Sequence, residues 1–325
     1  MQPDPPLAGK VVLILGAGVI GTGFAAVFSA GGAAVTLTDP DPVRRAEASL
    51  GLETAALALA QAGRGGAGGL SVTVAADATP ATISAADLIL ECGPELLGAK
   101  QAILAAVLPA ARADAVVATA SSALTISRIV TDQALQARCL VAHPVNPPGV
   151  LRLIELVPAP GTDPATTTRA EHLFTAAGFR PVILGREIEG FVLNRLQGAV
   201  LREAYRLVGE GIVGPAELDL VMREGLGPRW ALSGPFETAD LNTAGGIVAH
   251  AARMGPAYRR MGAERGETDT EWSADLVAQV AAVRRAALPT DEVPARVAWR
   301  ARALAEITAL RDRLLTEAPT DREPR

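Results

Sequence analysis

The chain has 325 residues, enough for two domains and a sizeable core. Hydrophobic residues make up 49%, an ordinary share for a globular protein, and a net charge of −5 argues against a nucleic-acid or anionic-membrane partner. No apolar stretch approaches the ~20 residues that span a bilayer, and the opening MQPDPPLAGK lacks a charged-then-apolar leader, so a cytoplasmic protein is expected.

The stretch from Lys10 to Asp39 organises the first half. An apolar run, Val11 to Leu15, turns through Gly16, Gly18 and Gly21. Helical spacing follows through Phe24, Val27 and Phe28, and a second apolar run, Val35 to Leu37, stops at Asp39. Strand, glycine turn, helix, strand and terminal acid form a dinucleotide-binding fingerprint. Gly16 permits the turn, Gly18 lets backbone approach a pyrophosphate, and Gly21 lets helix pack on strand. The helix start at Val19 and Ile20 offers free N–H groups to the phosphates. A carboxylate at Asp39 accepts hydrogen bonds from ribose hydroxyls and repels a 2′-phosphate, so NAD is expected rather than NADP.

A helix is predicted from Pro42 to Ala62, a flexible turn over Arg64 to Gly69, and strands over Val72–Val74 and Asp87–Glu91. A helix beginning at Glu95 carries Lys100 and runs to about Ala111. Further strands cover Ala115–Ala118, Cys139–His143, Leu153–Val157 and Pro181–Leu184, with a helix from Pro164 to Ala177 before the last. This alternation implies a doubly wound, mostly parallel α/β sheet.

Beyond Gly190 strand signals stop. A long helix is predicted over Phe191–Glu210, another from Pro215, and further helices over Trp272–Ala287 and Pro294–Leu315, ending in a frayed tail. The expected division is a Rossmann NAD-binding domain over 1–188 and an all-α domain over 189–325.

Few residues suit chemistry. Only three histidines occur, His143, His172 and His250, and the last two suggest no role. His143 stands where a parallel strand ends, the place where open α/β sheets bind ligands. Glu155 sits in the apolar run LIELV, where a carboxylate needs a partner unless it faces water from an edge strand. Together they make a base oriented by an acid, suited to removing an alcohol proton, or else a structural histidine and a solvated glutamate. Ser122 suits a substrate oxygen or a helix cap after Ala123. Asn194 lies one turn into the first helix of the second domain. Lys10 and Lys100 are the only lysines among many arginines, and Lys100 reads as a special group or as a solvated helix position. Two cysteines, Cys92 and Cys139, suit neither a disulfide framework nor a metal site, and no metal is expected.

The combination GAGVIG, ECGPELLGAK, ASSALTI, AHPVNPP…LIELV and EGFVLNRLQ resembles the L-3-hydroxyacyl-CoA dehydrogenase family along nearly the whole chain. The resemblance implies an NAD-dependent oxidoreductase with His143 as base and Glu155 as its acid partner. It implies Ser122 and Asn194 at the reacting hydroxyl, and Glu95 and Lys100 on the cofactor side. Within the turn PVNPPG it places Asn146 beside the substrate. The likeness is greatest to the lambda-crystallin and L-gulonate 3-dehydrogenase branch, in VAHPVNPP and in EGIVGPAELDLVMREGLGPRWALSGPFET.

Three features depart from the acyl-CoA type. Ala120 stands where an Asn is usual, the segment from Pro40 to Leu70 is short and lacks lysine, and Arg229 occupies GPRWA where a neutral residue is usual. A guanidinium suits a free carboxylate, although Arg229 also suits a domain or dimer contact. The expected substrate is therefore a small L-3-hydroxy acid, L-gulonate first. A 3-hydroxyacyl-CoA or L-carnitine, which Trp230 would face, are alternatives, and a crystallin-like NAD-binding structural protein is the non-enzyme one. The family pattern implies a homodimer through the helical domain, with the active site in an interdomain cleft.

Overall fold

The computed structural model describes residues 5–64, 69–232, 234–241, 246–266 and 289–316, together with positions 275 and 286. The chain forms two compact units, residues 1–195 with 300–309, and residues 196–299 with 310–325.

The first unit is built on one eight-stranded sheet: β1 (Val11–Leu15), β2 (Ala34–Thr38), β3 (Val72–Ala75), β4 (Leu88–Glu91), β5 (Val116–Thr119), β6 (Cys139–Pro144), β7 (Leu153–Pro158) and β8 (Arg180–Ile183). Their spatial order is β3-β2-β1-β4-β5-β6-β7-β8. Every pairing is parallel except β6 with β7. Its helices are α1 (Val19–Ala30), α2 (Pro42–Gln61), α3 (Pro80–Ala85), α4 (Leu97–Val107), α5 (Ile126–Ile129), α6 (Gln133–Gln136) and α7 (Pro164–Ala176).

The apolar runs are unbroken because the central strands are covered on both faces. Alternate side chains go to opposite cores. Val12, Ile14, Leu88, Leu90, Val116 and Ala118 pack on one side, and Leu13, Leu15, Ile89 and Val117 on the other. The first core holds an aromatic cluster in which Phe24 and Phe28 of α1 meet Phe174 of α7 and Phe179, with ring centroids 5.6–6.2 Å apart.

Local chemistry fixes the helix starts. Asp41 and Asp163 each accept a backbone N–H in front of α2 and α7, and Pro42 and Pro164 follow in the first turn. The short helices α3 and α6 are additions to the sequence-based expectation. Thr79 and Thr82 close a capping box on α3, and Ile83 of that helix joins the second core. The helix expected from Glu95 starts later, at Leu97, because Leu96 remains extended as its N-cap. Glu95 is thereby left in a loop. Most of the expected turn after Arg64, residues 65–68, lies outside the described residues, as do nearly all of Trp272–Ala287 and the tail from 317.

The remaining helices are α8 (Leu193–Gly209), α9 (Pro215–Val221), α10 (Gly227–Leu232), α11 (Pro235–Leu241), α12 (Gly246–Arg265) and α13 (Val293–Thr316), with a π-helical stretch, Met222–Leu226, before α10. Arg265 of α12 pairs with Glu203 and Glu210 near the end of α8. Ala305 of α13 packs with Ala62 and Val150, which is why 300–309 count with the first unit. Large apolar side chains stay exposed on the second unit, among them Leu220, Val221, Phe236, Met261 and Trp299. Among the described residues no helix is long and apolar enough to cross a membrane.

Candidate active site

The carboxyl ends of β1, β2, β4, β5 and β6 deliver the chemical groups to one edge of the sheet. At β1 the chain turns at Gly16 with φ of +114°, and a Cβ there would lie 2.6 Å from the Cys92 carbonyl oxygen. That conformation and that contact leave room for glycine alone. A Cβ on Gly21 would collide with the Gly16 carbonyl oxygen, so α1 packs onto the turn through a second glycine. Gly18 is the N-cap of α1 and brings no capping side chain. Val19 is exposed and Ile20 half-buried in the first turn of that helix.

A cavity of about 600 Å³ opens here, lined by Gly16, Gly18, Asp39, Arg44, Cys92 and Ile103 among others. Asp39 is buried at its rim. Its Oδ2 accepts the Ala17 N–H at 2.8 Å and its Oδ1 the Asp41 N–H at 3.0 Å. A bare-backbone turn, an uncapped helix start and a carboxylate at the next strand end fit a dinucleotide with a free ribose 2′-hydroxyl. Burial pushes the Cys92 thiol pKa up, and that of Cys139 up to about 12, so both stay protonated.

His143 and Glu155 stand directly opposite each other on β6 and β7. Nδ1 of His143 lies 2.8 Å from Oε2 of Glu155, with the two residues 5% and 1% exposed. β7 lies between β6 and β8, so Glu155 is not on an edge strand and does not face water. Its other oxygen, Oε1, accepts the N–H groups of Val192 and Leu193 at 2.8 and 3.0 Å, where α8 begins. Burial raises the Glu155 pKa, but the His143 hydrogen bond and these two backbone donors outweigh it and hold the carboxyl below its ordinary range. The buried Phe191 ring lies 5.3 Å from the imidazole centroid. Phe191 takes a positive φ of 50° after Gly190, which turns the chain into α8.

Ser122 follows β5 and is exposed. It does not cap α5, whose N-cap is Thr125; Ser121 Oγ instead accepts the Leu124 N–H at 2.8 Å. Asn194 donates its side-chain amide to the Ser122 carbonyl oxygen at 2.7 Å. Asn146 is exposed in the turn after β6, next to a cis bond to Pro147.

Glu95 in the β4–α4 connection and Lys100 on α4 face the same neighbourhood. One Glu95 oxygen accepts Ser121 Oγ at 2.6 Å, Ser122 N–H at 2.9 Å and Ala123 N–H at 3.1 Å. Burial raises the Glu95 pKa, while the Ser121 hydroxyl, the Lys100 charge and the backbone donors lower it further, to a net value below the ordinary one. Lys100 is buried rather than solvated, and its Nζ sits 2.8 Å from Glu91 Oε2 and 3.4 Å from Glu95 Oε2.

Glu91, Thr119, Ser121 and Phe191 are site neighbours to which the sequence alone assigned no role. The readable signal was an acid closing the apolar strand DLILE with a lone lysine nine positions later. Arg229 is exposed on α10 of the second unit. His172 is exposed on α7, and the His250 ring lies 6.3 Å from that of Tyr258 on α12. Among the described residues no cluster of potential ligands suits a metal ion.

Residues 11–188 match the NAD binding domain of 3-hydroxyacyl-CoA dehydrogenase, and residues 190–284 match its C-terminal domain. The chain is 38% identical to lambda-crystallin of Oryctolagus cuniculus over 313 residues, 94% of this chain and 97% of the relative. It is 36% identical to L-carnitine dehydrogenase of Streptomyces griseus over 249 residues, 76% of this chain and 74% of that one. The crystal structure of a 3-hydroxyacyl-CoA dehydrogenase from Archaeoglobus fulgidus shares the fold, with a TM-score of 0.65, 24% identity and coverage of 83% and 86% of the two chains.

Proposed function

The chain belongs to the 3-hydroxyacyl-CoA dehydrogenase family of NAD-dependent oxidoreductases, and we propose that it oxidises the 3-hydroxyl of a small, free L-3-hydroxy acid, L-gulonate being the leading candidate. The carrying observation is the buried His143–Glu155 pair at 2.8 Å, at the edge of the sheet that also holds the cofactor cavity.

In this reading His143 takes the hydroxyl proton through Nε2, since Nδ1 is engaged by Glu155. Glu155 holds the ring in that orientation and stabilises the imidazolium that forms. Ser122 and Asn194 hold the substrate oxygen as it becomes a carbonyl, and Asn146 borders the substrate. Gly16, Gly18, Val19, Ile20, Gly21 and Asp39 bind the dinucleotide, with Glu95 and Lys100 beside it. NAD, when bound, supplies the acceptor for the hydride leaving the substrate carbon.

The free-acid reading rests on residue types. The helix α2 carries Arg44 and Arg45 but no lysine, and Arg45 Nη1 is engaged by the carbonyl oxygens of Asp39 and Pro40, so this segment offers little for a CoA phosphate. Arg229 is the cation assigned to the substrate carboxylate. The test is steady-state turnover with NAD of L-gulonate, L-3-hydroxybutyrate, L-carnitine and 3-hydroxybutyryl-CoA. Higher kcat/KM for a free acid supports the reading, and a strong preference for the thioester overturns it.

The exposed apolar side chains of the second unit support a homodimer formed through that unit. Sedimentation equilibrium giving the mass of one chain would overturn this.

A further inference from the structure

We propose that Glu91 is a positioning residue for the reaction: it holds the segment from Thr119 to Ala123, and with it Ser122, through two separate routes, one made of hydrogen bonds and one that passes through an ion pair. The inference rests on the reading of Ser122 given above. Glu91 closes β4 and is fully buried, and a buried carboxylate persists only when its oxygens are well supplied with donors. Here they are. Oε2 accepts Lys100 Nζ at 2.8 Å and Thr119 Oγ1 at 2.5 Å, and Oε1 accepts the Gly93 N–H at 2.7 Å.

The first route runs through Thr119. Its hydroxyl spends its proton on Glu91, which leaves the oxygen to accept the Ser121 N–H at 3.2 Å. The second route runs through Lys100. Its ammonium lies between Glu91 and Glu95, and Glu95 gathers the Ser121 hydroxyl and the N–H groups of Ser122 and Ala123 on one oxygen. The two routes close a ring: Glu91, Lys100, Glu95, Ser121, Thr119 and back to Glu91. Lys100 is only 1% exposed, so its charge is committed inside this ring. An ion pair of this kind adds little to stability over apolar residues of the same volume. Its gain is geometric, because it fixes the backbone that carries Ser122 relative to the loop at Gly93, which lines the cofactor cavity.

The experiment compares Glu91→Gln, Thr119→Val, Thr119→Ser and Ser122→Ala in the full-length protein. It measures kcat with NAD and the fastest substrate of the panel, the dissociation constant of NADH by fluorescence titration, and folding by circular dichroism. A displaced reactive group of this kind costs about 10- to 100-fold. The expected result is therefore a fall in kcat of about that size in Glu91→Gln and Thr119→Val, with the NADH constant changed by less than ~3-fold and with recovery in Thr119→Ser. A folded Glu91→Gln or Thr119→Val with kcat within ~2-fold of wild type overturns the inference, as does a loss of NADH binding in proportion to kcat. If Glu91→Gln does not fold, the two Thr119 variants decide by the same criteria. Ser122→Ala separates the two claims. A large loss there with a silent Glu91→Gln removes the positioning role alone, and a silent Ser122→Ala removes both.

Discussion

The side-chain amide of Asn194 donates to the backbone carbonyl of Ser122 at 2.7 Å, so the first turn of α8 is tied to the loop after β5. The two residues assigned to the substrate oxygen are thus joined to each other before substrate arrives. Asn194→Ala removes that tie along with its own donor. The expected loss in kcat/KM is ~10-fold or somewhat more, the value of one well-placed hydrogen bond to a reacting group. Steady-state kinetics on the preferred acid checks it, and an unchanged kcat/KM would take Asn194 out of the site.

His143→Ala is expected to lower kcat by ~10²–10⁴ while leaving the fold intact. Glu155→Gln differs. Its amide presents a donor or a misdirected oxygen to Nδ1, so the imidazole loses its tautomer and orientation, and two backbone donors at the start of α8 are weakened. A comparable kcat loss together with a lowered Tm is expected for Glu155→Gln alone.

Acid should destabilise the first unit through its depressed carboxyls. Glu155 and Glu95 both titrate below the ordinary value of 4.5 in the folded protein. A lowered folded pKa means stability that is fully present above the unfolded value and lost as pH falls through the folded one. Thermal unfolding followed from pH 7 to pH 3 should hold its midpoint until about pH 5 and then decline. In Glu155→Gln the decline should be shallower; an identical slope would show that the His143–Glu155 pair contributes nothing to it.

Asp39 is the residue proposed to set cofactor choice, and it also braces the glycine turn through Ala17 and Asp41. Asp39→Ala would mix the two effects. Asp39→Asn keeps an acceptor for the turn while removing the charge that repels a 2′-phosphate. The NAD-to-NADP ratio of kcat/KM should fall by ~10-fold, about the value of one partly screened charge interaction. An unchanged ratio would mean that the carboxylate serves the turn alone.

Phe24 is fully buried and meets the rings of Phe28, Phe174 and Phe179 in the aromatic cluster. Phe24→Ala should cost about 3–5 kcal/mol in denaturant unfolding, a cavity that this close packing cannot refill.

Much of the fold was legible because parallel strands buried on both faces leave unbroken apolar runs. Val11–Leu15, DLILE and LIELV are visible by that rule, and Glu155 stood out because a carboxylate interrupts one of them. The glycine turn carried its own signature. Part of what escaped notice is too short or too scattered to show a period. The helices α3 and α6 are only six and four residues long. The Glu91–Lys100–Glu95 ring joins residues on β4, before and on α4, and at and after the end of β5, and the side-chain hydrogen bonds that link these elements span from nine to twenty-eight positions in sequence. Glu95 was expected inside the helix that in fact begins two residues later, and only outside it can its carboxylate turn back onto Ser121.

The two oxygens of Glu155 serve different masters, one the imidazole of His143 and the other the amides of Val192 and Leu193. A descendant that abandoned turnover and was kept only for its abundance would still need the second contact to begin α8. Natural selection would then go on retaining the glutamate while releasing the histidine. In such a descendant the position of His143 would be free to drift, while Glu155 would stay held by the amides it caps.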